Sequence, residues 1–269
     1  MSINLMIMKK LFSQIPLFTL LLISGFAGYA QKLPNIQAAS LRLPAGTKIE
    51  GKATEWNNQF QAYNRTTGVY YTIANDDENV YLAVQATDPH FIEKILSGGI
   101  TFSVKSADKG NKVPPVSIDY LFVPVVERYA MMKKIKGEDA NVTYTPDDIN
   151  KQFTADAKQI QVSGIKEIQD TLISVYNDAG IKVAALFDDK KVLTYELSLP
   201  LKYLKESLGD INSFNYNIKL NAIRITPHPV GAKAVEVIVT SVRINSKEAS
   251  DMQDLDSPTN FSGNYTMAK

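Results

Sequence analysis

The sequence predicts an all-β fold, a two-sheet antiparallel β-sandwich with a few short helices, and three observations predict it. Apolar and polar residues alternate with a period of two over several runs. The joints between the runs are rich in Asn, Asp and Gly. Stretches with helix signals are short. The clearest run is Phe214 to Leu220, where Phe214, Tyr216, Ile218 and Leu220 alternate with Asn215, Asn217 and Lys219. Successive side chains of a strand point to opposite faces, so this run has one oily face that must be covered. Two sheets that bury such faces against each other, at about 25 cal/mol per Å² of apolar area, meet that need.

The elements follow along the chain. Residues 1–30 have the pattern of an export leader: Lys9 and Lys10, an apolar stretch from Leu11 to Phe26, then Gly28-Tyr29-Ala30 with cleavage after Ala30. The unbroken apolar core, Ile15 to Ala27, is short for a bilayer span. No transmembrane pattern follows it, and no cysteine follows to take a lipid, so a periplasmic or secreted protein is expected. Strands are expected at Gly68–Ala74, Val80–Ala86, Gly99–Lys105, Val116–Val123, Thr171–Tyr176, Ile181–Phe187, Leu193–Leu199, Phe214–Leu220 and Val235–Ile244. Val80–Ala86 is apolar on both faces, which suits a central strand. A slip at Ala222 reads as a bulge, with Ile223 and Ile225 continuing the Phe214 strand. Asn177-Asp178-Ala179-Gly180 and Asp188-Asp189-Lys190-Lys191 separate three successive strands, which predicts a meander. Helices are expected at Phe91–Leu96, capped by Asp88 with Pro89 at the first position, from Thr145-Pro146 to about Ala157, and at Leu201–Leu208 before Gly209. Residues 31–269 are expected to form a single domain, with a partly helical insertion near 127–158.

Composition removes several function classes. The formal net charge is +1, so no bulk field draws the chain to nucleic acid. There is no cysteine, which leaves no disulfide, no thiolate catalysis and no zinc–cysteine or iron–sulfur site. There is no G-x-S-x-G, no H-E-x-x-H and no phosphate loop.

Three segments carry a resemblance. Ile49-Glu50-Gly51-Lys52-Ala53-Thr54-Glu55-Trp56 has an acidic residue before Gly, then Glu and Trp. Tyr71 to Asp88 is a strand, an acidic turn and a strand ending in Asp. Tyr195-Glu196-Leu197-Ser198-Leu199-Pro200 is a late strand running into Leu-Pro. In this order they resemble the family 9 carbohydrate-binding modules and their DOMON-like relatives. The resemblance implies a β-sandwich, often calcium-stabilised, whose sugar-binding members use aromatic rings. It also implies a structural role for Gly51, Glu55 and Trp56.

Sugar C–H faces stack on flat rings, and amides and carboxylates bind hydroxyls. With one tryptophan and 13 tyrosines, the candidate ligand-binding residues are Tyr63, Tyr70, Tyr71, Tyr120, Tyr129 and His228. Tyr70 and Tyr71 are neighbours on a strand, so one faces the core and the other faces out. Asp76, Asp77 and Glu78 are the calcium candidates, because they crowd oxygens into one turn. The methionines and two histidines show no haem-ligand pairing. The expected function is an exported, non-enzymatic binding protein for a carbohydrate or another extracellular small ligand on a sandwich face. The alternatives are an interaction scaffold for envelope proteins and a glycoside-active enzyme built on two carboxylates.

Overall fold

In chain order the strands of the computed structural model are β1 (Ala62–Asn64), β2 (Val69–Asn75), β3 (Asn79–Ala86), β4 (Ile100–Ser106), β5 (Val116–Tyr120), β6 (Gln159–Ser163), β7 (Leu172–Ser174), β8 (Lys182–Phe187), β9 (Leu193–Pro200), β10 (Ser213–Leu220) and β11 (Thr259–Thr266). The helices are α1 (Pro89–Gly98), α2 (Val125–Lys136), α3 (Pro146–Asp156) and α4 (Leu201–Leu208). The structure describes residues 32–120, 123, 125–138, 143–209, 211–224 and 254–269. The expected leader, Ile225, His228 and the expected strand Val235–Ile244 lie outside the described residues.

The strands form two antiparallel sheets, ordered β1-β2-β3-β9-β8 and β11-β10-β4-β5-β6-β7. Their alternating apolar residues make one shared core. Tyr71, Leu82, Val84, Tyr195 and Leu197 come from the first sheet; Phe102, Val104, Ile118, Tyr216, Ile218 and Phe261 come from the second. The Tyr71 and Tyr216 hydroxyls meet at 2.9 Å, so the two sheets share a buried hydrogen bond as well as apolar area. β3 lies between β2 and β9, the central position that its two-faced apolarity predicts.

The helices follow their end signals. Asp88 accepts from the His90 N–H ahead of α1, and Thr145 and Asp148 form a reciprocal capping box at α3. Met131, Met132, Ile135, Ile149 and Phe153 of α2 and α3 all join the inter-sheet core. The Phe153 ring meets Phe187 of β8 edge-on at 6.2 Å. Buried Lys94 of α1 donates to the Asp254 carbonyl at 2.6 Å and pairs with its carboxylate at 3.0 Å.

Two sheet edges are closed by side-chain amides. Gln37 accepts from the Ile73 N–H at 2.7 Å and donates to the Ile73 carbonyl at 2.8 Å, on the side of β2 beyond the reach of β1. Asn150 of α3 does the same to Phe187 of β8, at 2.8 and 2.9 Å. Each amide stands in for a neighbouring strand and occupies backbone groups that would otherwise invite another chain.

Two expectations are corrected. The strands around Asn177–Gly180 do not form a meander, because β7 ends the six-stranded sheet whereas β8 ends the five-stranded one. Of these three strands, only β8 and β9 make a hairpin. The β10 run stops at Leu220 instead of continuing through Ile223. Asn221 turns its amide into a network with Thr101 and the Gly98 carbonyl, and the Arg224 N–H bonds to Ser97. Strands β1, β6 and β11 were not anticipated.

Candidate functional site

The outer face of the five-stranded sheet is where the three resemblance segments meet. A segment running from about Leu41 to Phe60 lies over it and buries Trp56, Ala53 and Leu43 against Ala74, Tyr81 and Ala83. The turn that delivers Trp56 ends on Asn57 and Asn58, both with positive φ, a conformation asparagine tolerates. Glu196 of β9 fastens this cover. One carboxylate oxygen accepts from the Trp56 indole N–H at 2.8 Å. The other accepts from the backbone N–H groups of Glu50, Gly51 and Lys52 at 2.9, 2.8 and 3.3 Å. Glu196 is fully buried. Burial pushes its carboxyl above the ordinary value, and the four donors pull it partway back. Gly51 has a φ of 76°, and a Cβ there would lie 2.8 Å from the Ala185 backbone, so only glycine fits the close approach. Glu55 stands at the surface and accepts from the Thr54 hydroxyl at 2.7 Å, outside the Glu196 cluster.

The acidic turn between β2 and β3 is a self-contained unit. Burial alone would raise the Asp76 carboxyl, but the Tyr81 hydroxyl and the N–H groups of Glu78, Asn79 and Gly46 hold it below its ordinary value. The Tyr81 bond is 2.7 Å. Asp77 pairs with Arg42 at 2.5 Å. Asp76 and Asp77, two of the calcium candidates, therefore have oxygens engaged by the chain's own donors, while Glu78 is exposed beside them. Among the described residues, no group of three His, Asp or Glu side chains gathers as a metal ion would need.

A pH dependence follows from Asp76. Its depressed folded value contributes stability that is complete above the unfolded value of about 3.9 and is lost as pH falls through the folded value. Urea midpoints of wild type and Asp76→Asn, followed through that acid range, should converge as pH drops, with the wild type the more stable at neutral pH. Parallel curves would contradict the assignment.

Next to the covered rows runs a further cross-strand row, which the Leu41–Phe60 segment meets with Phe60 near Tyr70 and with Gly51 against the Ala185–Leu186 backbone. Tyr63 stands opposite Tyr70, Tyr70 opposite Gln85, Gln85 opposite Thr194, and Thr194 opposite Leu186. The Tyr63 and Tyr70 ring centroids are 4.6 Å apart, and Phe60 lies 6.1 Å from Tyr70. The hairpin sets this pairing. Asn64 Oδ1 accepts from the N–H groups of Thr66 and Thr67, an Asx turn, and Gly68 takes a φ of 61° before β2 begins. Tyr63, Tyr70, Gln85 and Leu186 are all half-buried. The Gln85 amide donates to the Thr194 hydroxyl at 3.0 Å. Tyr63, Tyr70 and Gln85 thus form a half-exposed ledge, and Thr194 beside it is buried.

The other tyrosine candidates are elsewhere. Tyr71 and Tyr120 are withdrawn from the ligand-facing set, because both point into the core. Tyr71 bonds to Tyr216, and Tyr120 donates to the Ala157 carbonyl at 2.9 Å. Burial pushes the Tyr120 phenol up to about 12. Tyr129 is exposed on α2 with Lys133 Nζ 4.8 Å from its ring centroid. A cleft of about 750 Å³ opens at the end of the sandwich, lined in part by Arg42, Asp77, Lys205 and Met267. Residue-level reading missed Glu196, because it occupies a polar position in an alternating strand. Phe60 and Gln85 gave no signal of their own. No protein-family model matches the chain, and no curated protein matches it.

Proposed function

We propose that the protein is an exported, non-enzymatic binding protein that takes a carbohydrate on the Tyr63–Tyr70–Gln85 ledge. The observation that carries the reading is the approach of two half-exposed tyrosine rings to 4.6 Å on a sheet face, with an amide one strand away. Rings supply the stacking surface for sugar C–H groups, and the amide supplies directional bonds to hydroxyls. The resemblance of Ile49–Trp56, Tyr71–Asp88 and Tyr195–Pro200 to family 9 carbohydrate-binding modules, and the leader pattern of residues 1–30, support it. Trp56, buried under the sheet cover, has no part in the ligand face.

A glycan array followed by calorimetry tests the reading. Tyr70→Ala is expected to weaken the best saccharide by about tenfold, the equivalent of about 1.4 kcal/mol, with the unfolding midpoint little changed. A blank array on folded protein would reject it. The second reading, a scaffold for envelope proteins, draws on Leu172 in the edge strand β7 and Tyr176 just beyond it, 52% and 80% exposed. A blank array together with loss of a captured envelope partner in Tyr176→Ser would favour that role.

A further inference from the structure

We infer that the Leu41–Phe60 cover is a strap that opens as one unit, and that its closure completes the sugar ledge. The inference rests on the carbohydrate reading above and adds how that site is controlled. The strap is anchored at both ends. At its entry the Leu43 N–H donates to the Asn75 carbonyl and the Asn75 N–H to the Leu41 carbonyl, each at 3.0 Å. The Gly46 N–H reaches the Asp76 carboxylate. At its exit the Gln61 N–H donates to the Thr72 hydroxyl at 2.9 Å, and β1 then begins.

Between these anchors the hold is narrow. Among the described residues, every hydrogen bond from residues 47–60 to the sheet ends on the Glu196 carboxylate. Backbone bonds around Trp56 stay within the strap: the Trp56 and Asn58 N–H groups donate to the Ala53 carbonyl, and that of Asn57 to Thr54. Its apolar contacts form a small cluster of their own, Trp56, Ala53 and Leu43 on Ala74, Tyr81 and Ala83, separate from the inter-sheet core. A segment with an internal turn, one central attachment and a small cluster can leave a sheet while the sandwich stays folded.

Phe60 connects the strap to the ledge. On one side it packs on the Trp56 cluster. On the other, its ring lies 6.1 Å from Tyr70, which meets Tyr63 at 4.6 Å. When Trp56 lifts, Phe60 loses the cluster that holds its ring beside Tyr70. Glu196 therefore acts on the ledge as a positioning residue, through Trp56 and Phe60, without touching the sugar.

The test is native-state amide exchange on the full chain, alone and with cellobiose, xylobiose or mannobiose at about ten times the dissociation constant found by calorimetry. In the free chain the Glu50, Gly51 and Lys52 amides should exchange together, at least about tenfold faster than Leu82 and Phe102 in the core. A disaccharide that binds only the closed strap should slow these three about tenfold at that concentration, although none of them belongs to the ledge. Glu196→Gln should speed their exchange several-fold. Phe60→Ala should let the strap open as before but abolish the slowing by the disaccharide. Exchange of the three amides only at the rate of the core would overturn the strap. Slower core exchange with the three amides unchanged would mean that the sugar binds open and closed strap alike, which overturns the coupling and leaves a sugar-binding ledge. No binding of any of the disaccharides, with a blank glycan array, would remove the ledge reading and the coupling with it. The comparison of free and bound wild type needs no variant, so a substitution that fails to fold does not obscure the result.

Discussion

Replacing Glu196 by Ala is expected to destabilise the fold by about 3–4 kcal/mol, measured as a lowered urea midpoint at neutral pH. Truncation leaves the Trp56 indole N–H and the N–H groups of Glu50, Gly51 and Lys52 without their acceptor under the sheet cover. Each buried donor stranded in this way costs about 1–3 kcal/mol before relaxation. Two effects temper the sum. The burial cost of the carboxyl, visible in its raised pKa, disappears with it. The cover can also lift and let water reach some of the donors. Removing one member of a buried charged network nevertheless costs about 3–5 kcal/mol in general. Trp56→Phe is the informative companion, because it removes a single donor and keeps most of the ring. It should cost less than half as much. Equal losses in the two variants would mean that packing of the ring, rather than the carboxylate cluster, fastens the Leu41–Phe60 cover.

That cluster shows where reading a sequence gains and loses its grip. The strand at Leu193–Pro200 is legible, because Leu193, Tyr195, Leu197 and Leu199 alternate with Thr194, Glu196 and Ser198. The same alternation assigns Glu196 to solvent, since period-two patterning cannot distinguish an outer face open to water from one covered by another segment. Only the resemblance tied Glu196 and Trp56, 140 residues apart, to one family plan. Helix ends were legible for the opposite reason. Asp88-Pro89 and Thr145-Pro146 act within a few residues, so their physics is local. Strand β11 was hidden by Gly263, which breaks the apolar rhythm between Phe261 and Tyr265. The glycine is there to admit Tyr216, whose hydroxyl would lie 2.3 Å from a Cβ. The turn at Asn177–Gly180 announces a change of direction but carries no information about which sheet receives the next strand. Tyr63 and Tyr70 were recognised singly, and their meeting depends on the Asn64 turn that sets the β1–β2 register. Trp56 faces inward, so a ligand on the ledge is held without it.

Asn75→Ala is expected to cost about 3 kcal/mol and to loosen two distant parts of the chain together. Asn75 ends β2 and is almost wholly buried. Its carbonyl oxygen Oδ1 accepts from the Tyr265 hydroxyl at 2.9 Å and from the Ala268 N–H at 2.8 Å. Its amide donates to the carbonyls of Asp76 and Ala268, each at 3.1 Å. Its backbone meanwhile pairs with Leu41 and Leu43, which start the segment covering the outer sheet face. The Tyr265 hydroxyl accepts from the Leu41 N–H at 3.3 Å, and the Leu41 carbonyl, 3.0 Å away, is the alternative acceptor for its one proton. One side chain thus joins the end of β11, in the six-stranded sheet, to the edge of the five-stranded sheet and to the entry of its cover. Alanine removes four hydrogen bonds worth about 1 kcal/mol each net, and some are replaced by water near the chain end. Amide hydrogen exchange can separate this joint role from simple loss of packing. The amides of Leu43 and Ala268 should lose protection together, while Leu82 and Phe102 in the core keep theirs up to the lowered global limit. If only one of the two segments loosened, the C-terminal strand and the sheet cover would be held independently, and Asn75 would be a local turn residue instead of the tie between them.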